Sequence, residues 1–466
     1  MKTIRHTTTR ILAICIGASL AMGMQAQRDV TTAYSGPLPS EAQVRWQAME
    51  TNAFVHFGPN TFTNREWGYG DVDPMVFNPT QLDVDQWMET FKQAGIKGVI
   101  LTCKHHDGFC LWPTRQTDYS IRRSAFRNGE GDLVREVSDA CRRHGLKFGI
   151  YLSPWDRHQA SYGTAEYVDY YYKQLEELLT GYGEIFEVWL DGANGGDGYY
   201  GGANEKRKID RRTYYHFDRI YELIHRLQPQ AIIFSDGGPG CRWVGNEEGH
   251  AATTNWSLLR GKEVYPGYNK PEELPSGHID GDQWTAAECD VSIRPGWFYH
   301  TEEDTLVKSP RQLADIYYQS VGRNALMLLN FPVDRRGRVH PTDSANAVAF
   351  RQLIDSELGH DLLSQAKIRR QADGSLEVSL RRRVSMNRLI LQEDIRQGQR
   401  VKTFSVEYRA EKKWLPLPAD EETTTIGYKR ILKFPAITTD KLRIRITDSV
   451  AKPIVSRVAA SLAPER

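Results

Sequence analysis

The run EVWLD ends at Asp191, and Gly192, Ala193, Asn194 and Gly195 follow it. A carboxylate there has little bulk in front of it and could reach a substrate carbon. An Asp before Gly also caps tight turns, so the dipeptide alone leaves both uses open. Upstream, AFVHF carries His56, KHHDGF carries Lys104, His105, His106 and Asp107, and Tyr151 and Trp155 lie in KFGIYLSPW. Downstream, GCRWVGNEEG offers Glu247 and Glu248 beside Arg242 and Trp243, and AECDVSIRPGWFYH offers Glu288 and Asp290 beside Trp297 and Tyr299. Two carboxyl groups among aromatic rings and histidines suit hydrolysis of a glycosidic bond, which needs one acid on each side of the scissile linkage.

Metal-assisted hydrolysis is the competing chemistry, with His105, His106 and Asp107 as potential zinc ligands. Adjacent residues of a strand point to opposite faces, which makes the His pair a poor chelate unless the chain has already left the strand. There is no HExxH or similarly spaced set, and no Gly-rich loop has phosphate-cradling spacing.

These residues need elements to bring them to one rim. From about Ala53 to Asn330, short apolar runs alternate with helical periods. AFVHF precedes Val84, Trp87, Met88 and Phe91, which fall at i, i+3, i+4 and i+7 and stop at Gly95. GVILTC, KFGIYL, EVWLD and AIIFSD repeat the unit, and ALMLLN reads as the last strand. Repeated βα units predict an α/β fold with a (β/α)8-like parallel barrel, whose reacting groups sit at the C-terminal ends of the strands. Residues 237–300 lose the period and read as long active-site loops. From about Leu362, SLEVSL, RLILQE, TFSVEYR, RILKF and KLRIRIT alternate with period two, which predicts a C-terminal antiparallel β-sandwich.

In the 466 residues, 60 Lys and Arg balance 59 Asp and Glu, so no net field favours nucleic acid as a partner. The apolar run from Ile11 to Met24 follows a basic stretch and is short for a membrane span, which reads as a secretory signal over residues 1–26 with cleavage near Ala26. No later stretch reaches transmembrane length, and an exported protein, periplasmic or secreted, is expected. The mature chain divides into a barrel domain over 27–358 and a sandwich over 359–466. Its five cysteines have no CxxC pair and read as core thiols.

The chain resembles glycoside hydrolase family 29, the α-L-fucosidases, in VHFG, NREWG, LTCKHHDGFCLW, GIYLSPWD, EVWLDGANG and RWVGNE. The resemblance implies a barrel followed by a β-sandwich, retention of anomeric configuration and Asp191 as nucleophile. It also implies that His56, Glu66, Trp67, His105, His106 and Tyr151 line a fucose pocket. RWVGNE and SIRPGWFYH look like the subgroup selective for α-1,3 and α-1,4 fucose on branched glycans, where the Glu after GN is the acid/base. Glu247 is therefore the expected acid, with Glu248 and Glu288 as alternatives. Arg242, Glu288 and Trp297 are expected at the substrate, Trp297 on the sugar's apolar face and Glu288 towards a neighbouring galactose. The expected partners are fucosylated oligosaccharides, and the chemistry calls for no metal or organic cofactor. A broad-specificity fucosidase and an inactive fucose-binding protein are the other readings of the same residues.

Overall fold

The apolar runs become strands because their side chains are buried on both faces. In the computed structural model, which describes residues 33–464, β1 is Thr51–Val55, β2 Gly98–Lys104, β3 Lys147–Leu152, β4 Glu187–Trp189 and β5 Ile232–Ser235. The secretion signal read from residues 1–26 lies outside the described residues. Three further strands follow, β6 Cys241–Trp243, β7 Ala286–Ser292 and β8 Leu326–Asn330. Each pairs in parallel with the next, and β8 closes on β1 through Thr51 opposite Met327 and Phe54 opposite Asn330. The predicted parallel barrel is therefore complete in its strands.

Its helical layer is not. α1 (Glu41–Gln47) precedes β1; α2 (Val84–Gln93), α3 (Leu133–His144), α4 (Ala165–Gly181) and α5 (Phe217–Leu227) follow β1 to β4; α6 (Pro310–Gln319) and α7 (Pro341–Leu358) follow β7 and β8. Local sequence sets the ends of these helices. The Asp83 and Asp132 side chains accept the backbone N–H groups of Gln86 and Arg135, and Gly95 and Gly145 leave α2 and α3 with φ of +78° and +72°. Between β5 and β6 the chain turns through residues 236–240 without a helix, and residues 244–285 form an irregular excursion holding the small antiparallel pair Leu258–Leu259 and Gln283–Trp284. Residues 237–300, expected as loops, thus contain two barrel strands. β6 is too short to show a period, and β7 places Glu288 and Asp290 where an apolar alternation would have marked it.

α1 seals the N-terminal mouth of the barrel. Gln43 donates to the carbonyls of Gly240 (2.8 Å) and Trp284 (2.9 Å), and Trp46 packs with Phe54, Ile100 and Trp189 in the barrel interior.

The C-terminal strands are β9 (Lys367–Arg370), β10 (Leu376–Glu393), β11 (Val401–Ala410), β12 (Lys413–Pro416), β13 (Arg430–Ser449) and β14 (Val455–Ser461). They pair antiparallel in the order β9, β10, β13, β11, β12, with β14 also on β10. SLEVSL and RLILQE, which read as separate strands, are one strand that kinks through Arg381, Arg382 and Arg383, where the β10–β13 register shifts between Ser379 and Val384. Such kinks let the sheet fold around a core of its own, including Val378, Leu389, Phe404, Leu432 and Ile444. Glu50, just before β1, ties this domain to the barrel by accepting from Tyr317 (2.6 Å) and Tyr428 (2.8 Å) and pairing with Lys429.

Candidate active site

The C-terminal ends of the strands open into a cavity of about 300 Å³. His56, His105, His106, Tyr151, Asp191, Glu247, Trp67 and Trp297 line it together, as do Asp236 and Asp290.

His56 follows β1, and its Nδ1 lies 2.8 Å from Oδ1 of Asn330, at the end of β8. Asn330 is oriented by donating Nδ2 to Ser292 Oγ and the Trp297 carbonyl, both at 2.9 Å, so His56 must donate from Nδ1. Burial pushes the His56 pKa down to about 3, which leaves a neutral ring with Nε2 as an acceptor. His106 Nδ1 lies 2.7 Å from Ser153 Oγ, whose own proton goes to the Trp155 carbonyl (2.7 Å), so its Nε2 is likewise free towards the cavity. That Nε2 stands 3.8 Å from Asp191 Oδ2. Both His105 and His106 reach the pocket because β2 has ended at Lys104; their ring centroids are 4.2 Å apart. Lys104 points away, paired with Asp156 (3.2 Å) and Gln174 (2.9 Å) among buried tyrosines.

Asp191 uses its two oxygens differently. Oδ1 accepts the Ala193 N–H (2.7 Å), the turn-capping role, while Oδ2 accepts from the buried Tyr151 hydroxyl (2.9 Å) and faces the cavity. The two uses left open by the sequence coexist in one carboxylate. Gly192 is constrained from the far side, since a Cβ there would lie 2.5 Å from Asp236 Oδ2.

Glu247 and Glu248 separate cleanly. Glu247 sits on the loop after β6 and accepts the Trp297 indole N–H at 3.2 Å, whereas the Glu248 side chain is 80% exposed, with His250 at 3.8 Å. Partial burial raises the Glu247 pKa, and the charges of Asp191 and Glu66 add to that effect. Gly245 shapes the loop: it has φ +91°, and a Cβ would meet the Pro271 carbonyl at 2.3 Å. Glu66, expected in the fucose pocket, is not among the residues lining this cavity; with Glu247, Trp297 and His300 it lines an adjoining recess, where it accepts from the Trp297 and Phe298 N–H groups and from His300 Nε2 (3.0 Å). Trp67, half exposed at the mouth, meets the His106 ring edge-on at 5.1 Å.

Two expected substrate contacts lie elsewhere. Arg242 is fully buried behind β6, where it donates to the Leu274 and Thr285 carbonyls and to Asn255 (2.8 Å). Its side chain is fixed by backbone acceptors of the 244–285 excursion. Glu288 points into the barrel below the pocket floor; it accepts the Trp189 indole N–H (2.9 Å) and lies beside Glu187, which accepts from Trp46 (2.8 Å). Desolvation raises both carboxyls, and the charge of Glu187 adds to the rise at Glu288, so the pair retains a proton. Trp189 above them stacks on Phe234 (3.8 Å, 7°) as the floor. Among the described residues, Glu187, Cys241 and Glu288 are the grouping close enough to share an ion; the pocket histidines form none.

The sequence reading passed over Asp236, which ends AIIFSD as Asp191 ends EVWLD; that parallel was the available signal. Its buried carboxyl accepts the Gly267 and Tyr268 N–H groups and is pushed up to about 7 by burial, with Asp191 adding to the rise. Asp290, two residues beyond Glu288 on the same face of β7, accepts from Trp243 (2.9 Å) and is held well above the usual carboxylate range by burial and the nearby Glu247. Arg211 and Tyr268 complete the wall from loops without a sequence signature.

Residues 31–350 match the Alpha-L-fucosidase family model. The chain belongs to the α-L-fucosidases of glycoside hydrolase family 29. It is 41% identical over 454 residues to alpha-L-fucosidase 1 of Arabidopsis thaliana, covering 90% of this chain and 86% of the plant protein. A glycoside hydrolase 29 family member from an unknown rumen bacterium superposes with a TM-score of 0.89 at 48% identity, over 92% of this chain and 78% of that one. A Ruminococcus gnavus family 29 fucosidase, solved in complex with fucose, has a TM-score of 0.81 at 29% identity, covering 95% of this fucosidase and 98% of its relative. The barrel with an antiparallel β domain is shared across these structures, and the enzyme is a glycoside hydrolase.

Proposed function

We propose that the enzyme releases terminal α-L-fucose by double displacement, with Asp191 as nucleophile and Glu247 as acid/base. The observation that supports this most directly is that Asp191 Oδ2 and the Glu247 carboxyl face one cavity from unlike supports. Asp191 is held at a strand end by Tyr151 and Ala193, which suits a group that must meet C1 in one position. Glu247, on a rim loop with a raised pKa, suits a group that gives a proton and takes one back. In the first step Asp191 attacks C1 while Glu247 protonates the departing oxygen. In the second Glu247 deprotonates the water that opens the fucosyl ester, and two inversions give retention. Such a pair operates with its carboxyl groups roughly 5 to 5.5 Å apart. His56 and His106 offer Nε2 to sugar hydroxyls.

The test separates the two acids. Asp191→Gly should abolish turnover for every leaving group, because no covalent intermediate forms. Glu247→Ala should still form the intermediate from a dinitrophenyl fucoside, whose departure needs little proton donation. Azide should then accelerate the Glu247 variant and give the α-azide, while rescue of the Asp191 variant gives the β product. Wild-type rates for Glu247→Ala on natural glycans would remove Glu247 from this role.

We further infer selectivity for α-1,3 and α-1,4 fucose on branched glycans. The Trp297 to Glu247 hydrogen bond joins SIRPGWFYH and RWVGNE into one wall beside the acid, where a neighbouring sugar would rest. Branched oligosaccharides should be cleaved much faster than α-1,2-linked fucose; equal rates, or faster turnover of aryl fucosides, would favour broad specificity. Export follows from the residue 1–26 signal and is tested by cell fractionation.

A further inference from the structure

The near-zero net charge conceals a split between the two domains. Residues 33–360 hold 34 Lys and Arg against 45 Asp and Glu, whereas residues 361–464 hold 21 against 12. Part of this excess lies on the outward face of the sheet. Val378, Leu442, Ile444 and Val406 turn into the core, so their alternate neighbours on β10, β13 and β11 turn outward. Across the strands, one outward row runs Arg369, Glu377, Arg443, Glu407, and the next includes Lys367, Ser379 and Lys441. Arg409 and Trp414 pair at the far edge, and the Arg443 guanidinium lies 4.4 Å from the Trp414 ring.

Acids meet only part of this charge. Glu377 takes Lys441, Glu407 takes Arg443 (2.7 Å), Asp440 takes Arg409 and Asp373 takes Arg445 (3.3 Å). Lys367, Arg369, Arg381 and Arg382 are exposed and, among the described residues, have no acidic partner. Ser379 stands opposite Lys367, and Arg381 follows two residues on, where β10 leaves its register with β13.

We infer that this outward sheet face binds an anionic polysaccharide, through sulfate or carboxylate groups on successive sugars. Arginine forks suit such oxyanions, and several unpaired cations on one exposed surface attract a polyanion over several contacts. The exposed apolar residues of the edge strands, Ile368 and Leu415, stand opposite Val378 and Tyr408 and so belong to the other face, which leaves the outward face without a wedge for a bilayer. The covered Trp414 ring leaves no platform for stacked bases. The choice of a glycan rests on the proposed reading of the barrel: a second contact on the same substrate raises the local concentration of its fucosylated branches at the pocket.

The test uses the full mature enzyme and a heparin octasaccharide as probe. Titration calorimetry and a heparin column should show salt-sensitive binding. The triple variant Lys367→Glu, Arg369→Glu, Arg381→Glu should weaken it by about tenfold or more, with an unchanged rate on an aryl fucoside. That rate reports a folded barrel; Arg381→Glu alone, at the exposed kink, should give a smaller loss if the triple variant misfolds. No binding by the wild type, or binding by both variants as tight as that of the wild type, overturns the inference. Equal retention on double-stranded DNA or on anionic phospholipid vesicles overturns the assignment to a glycan. An enzyme that binds heparin but lacks fucosidase activity would instead overturn the reading of the barrel.

Discussion

Asp191 and Glu247 differ in what surrounds them, and the proton affinity of Glu247 follows from its burial beside Trp297. The Trp297 indole is the hydrogen-bond donor that stabilises the Glu247 carboxylate and partly offsets its burial. Trp297→Phe removes that donor, so the charged form loses support and the Glu247 pKa rises. The alkaline limb of kcat/KM should then move to higher pH by about one pH unit or less, the acid limb staying in place; an unmoved or lowered alkaline limb would count against Glu247 as the proton donor. Residues such as His56, His105 and Asp191 were legible because they end apolar runs, where a polar side chain has no reason to stand unless it faces a rim. Arg242 and Glu288 were misplaced for the converse reason. Their neighbours looked like loop residues, and nothing in a sequence says which backbone carbonyls will claim a buried guanidinium.

At the level of elements, the acid/base wall depends on a tether from the segment after β1. Glu66 collects the N–H groups of Trp297 and Phe298 together with His300, and so fixes the segment after β7 against the segment after β1. Glu66→Ala should release Trp297 and lower kcat/KM on branched glycans by about tenfold or more, while single-turnover chemistry on a dinitrophenyl fucoside falls less. Equal losses on both substrates would place Glu66 at the fucosyl unit itself instead of at the wall. The βα units up to β5 were readable from their periods and stop signals, Gly95 and Gly145 among them. β6 and β7 were not, because three residues carry no period and because Glu288 and Asp290 fill positions that an apolar pattern would otherwise have marked.

The whole molecule stores several carboxyls away from water. Asp107, Asp236 and Glu393 are each pushed up to about 7 by burial, above the usual range of an unfolded carboxyl. Between those two limits the folded chain binds more protons than the unfolded one, so stability is fully present below the unfolded pKa and is lost as pH rises towards and through 7. His56, His105 and His106, held neutral by burial, act in the opposite sense below about pH 6.5, so the check is a difference: the thermal midpoint of Asp107→Asn relative to the unsubstituted enzyme should rise from about pH 5 to pH 8, and a constant or falling difference would contradict it. The period-two strands made the second domain legible, whereas its charge was invisible in the total of 60 against 59. The chain of contacts from Trp46 through Glu187 and Glu288 to Trp189 carries a kinetic consequence. Its links span 141 and 99 residues of sequence, so the pocket floor is set only after most of the polypeptide has been synthesised. Both indoles report on that event. During refolding, tryptophan emission and the recovery of hydrolysis should follow one time course, because a partly assembled barrel has neither the relay nor a floor.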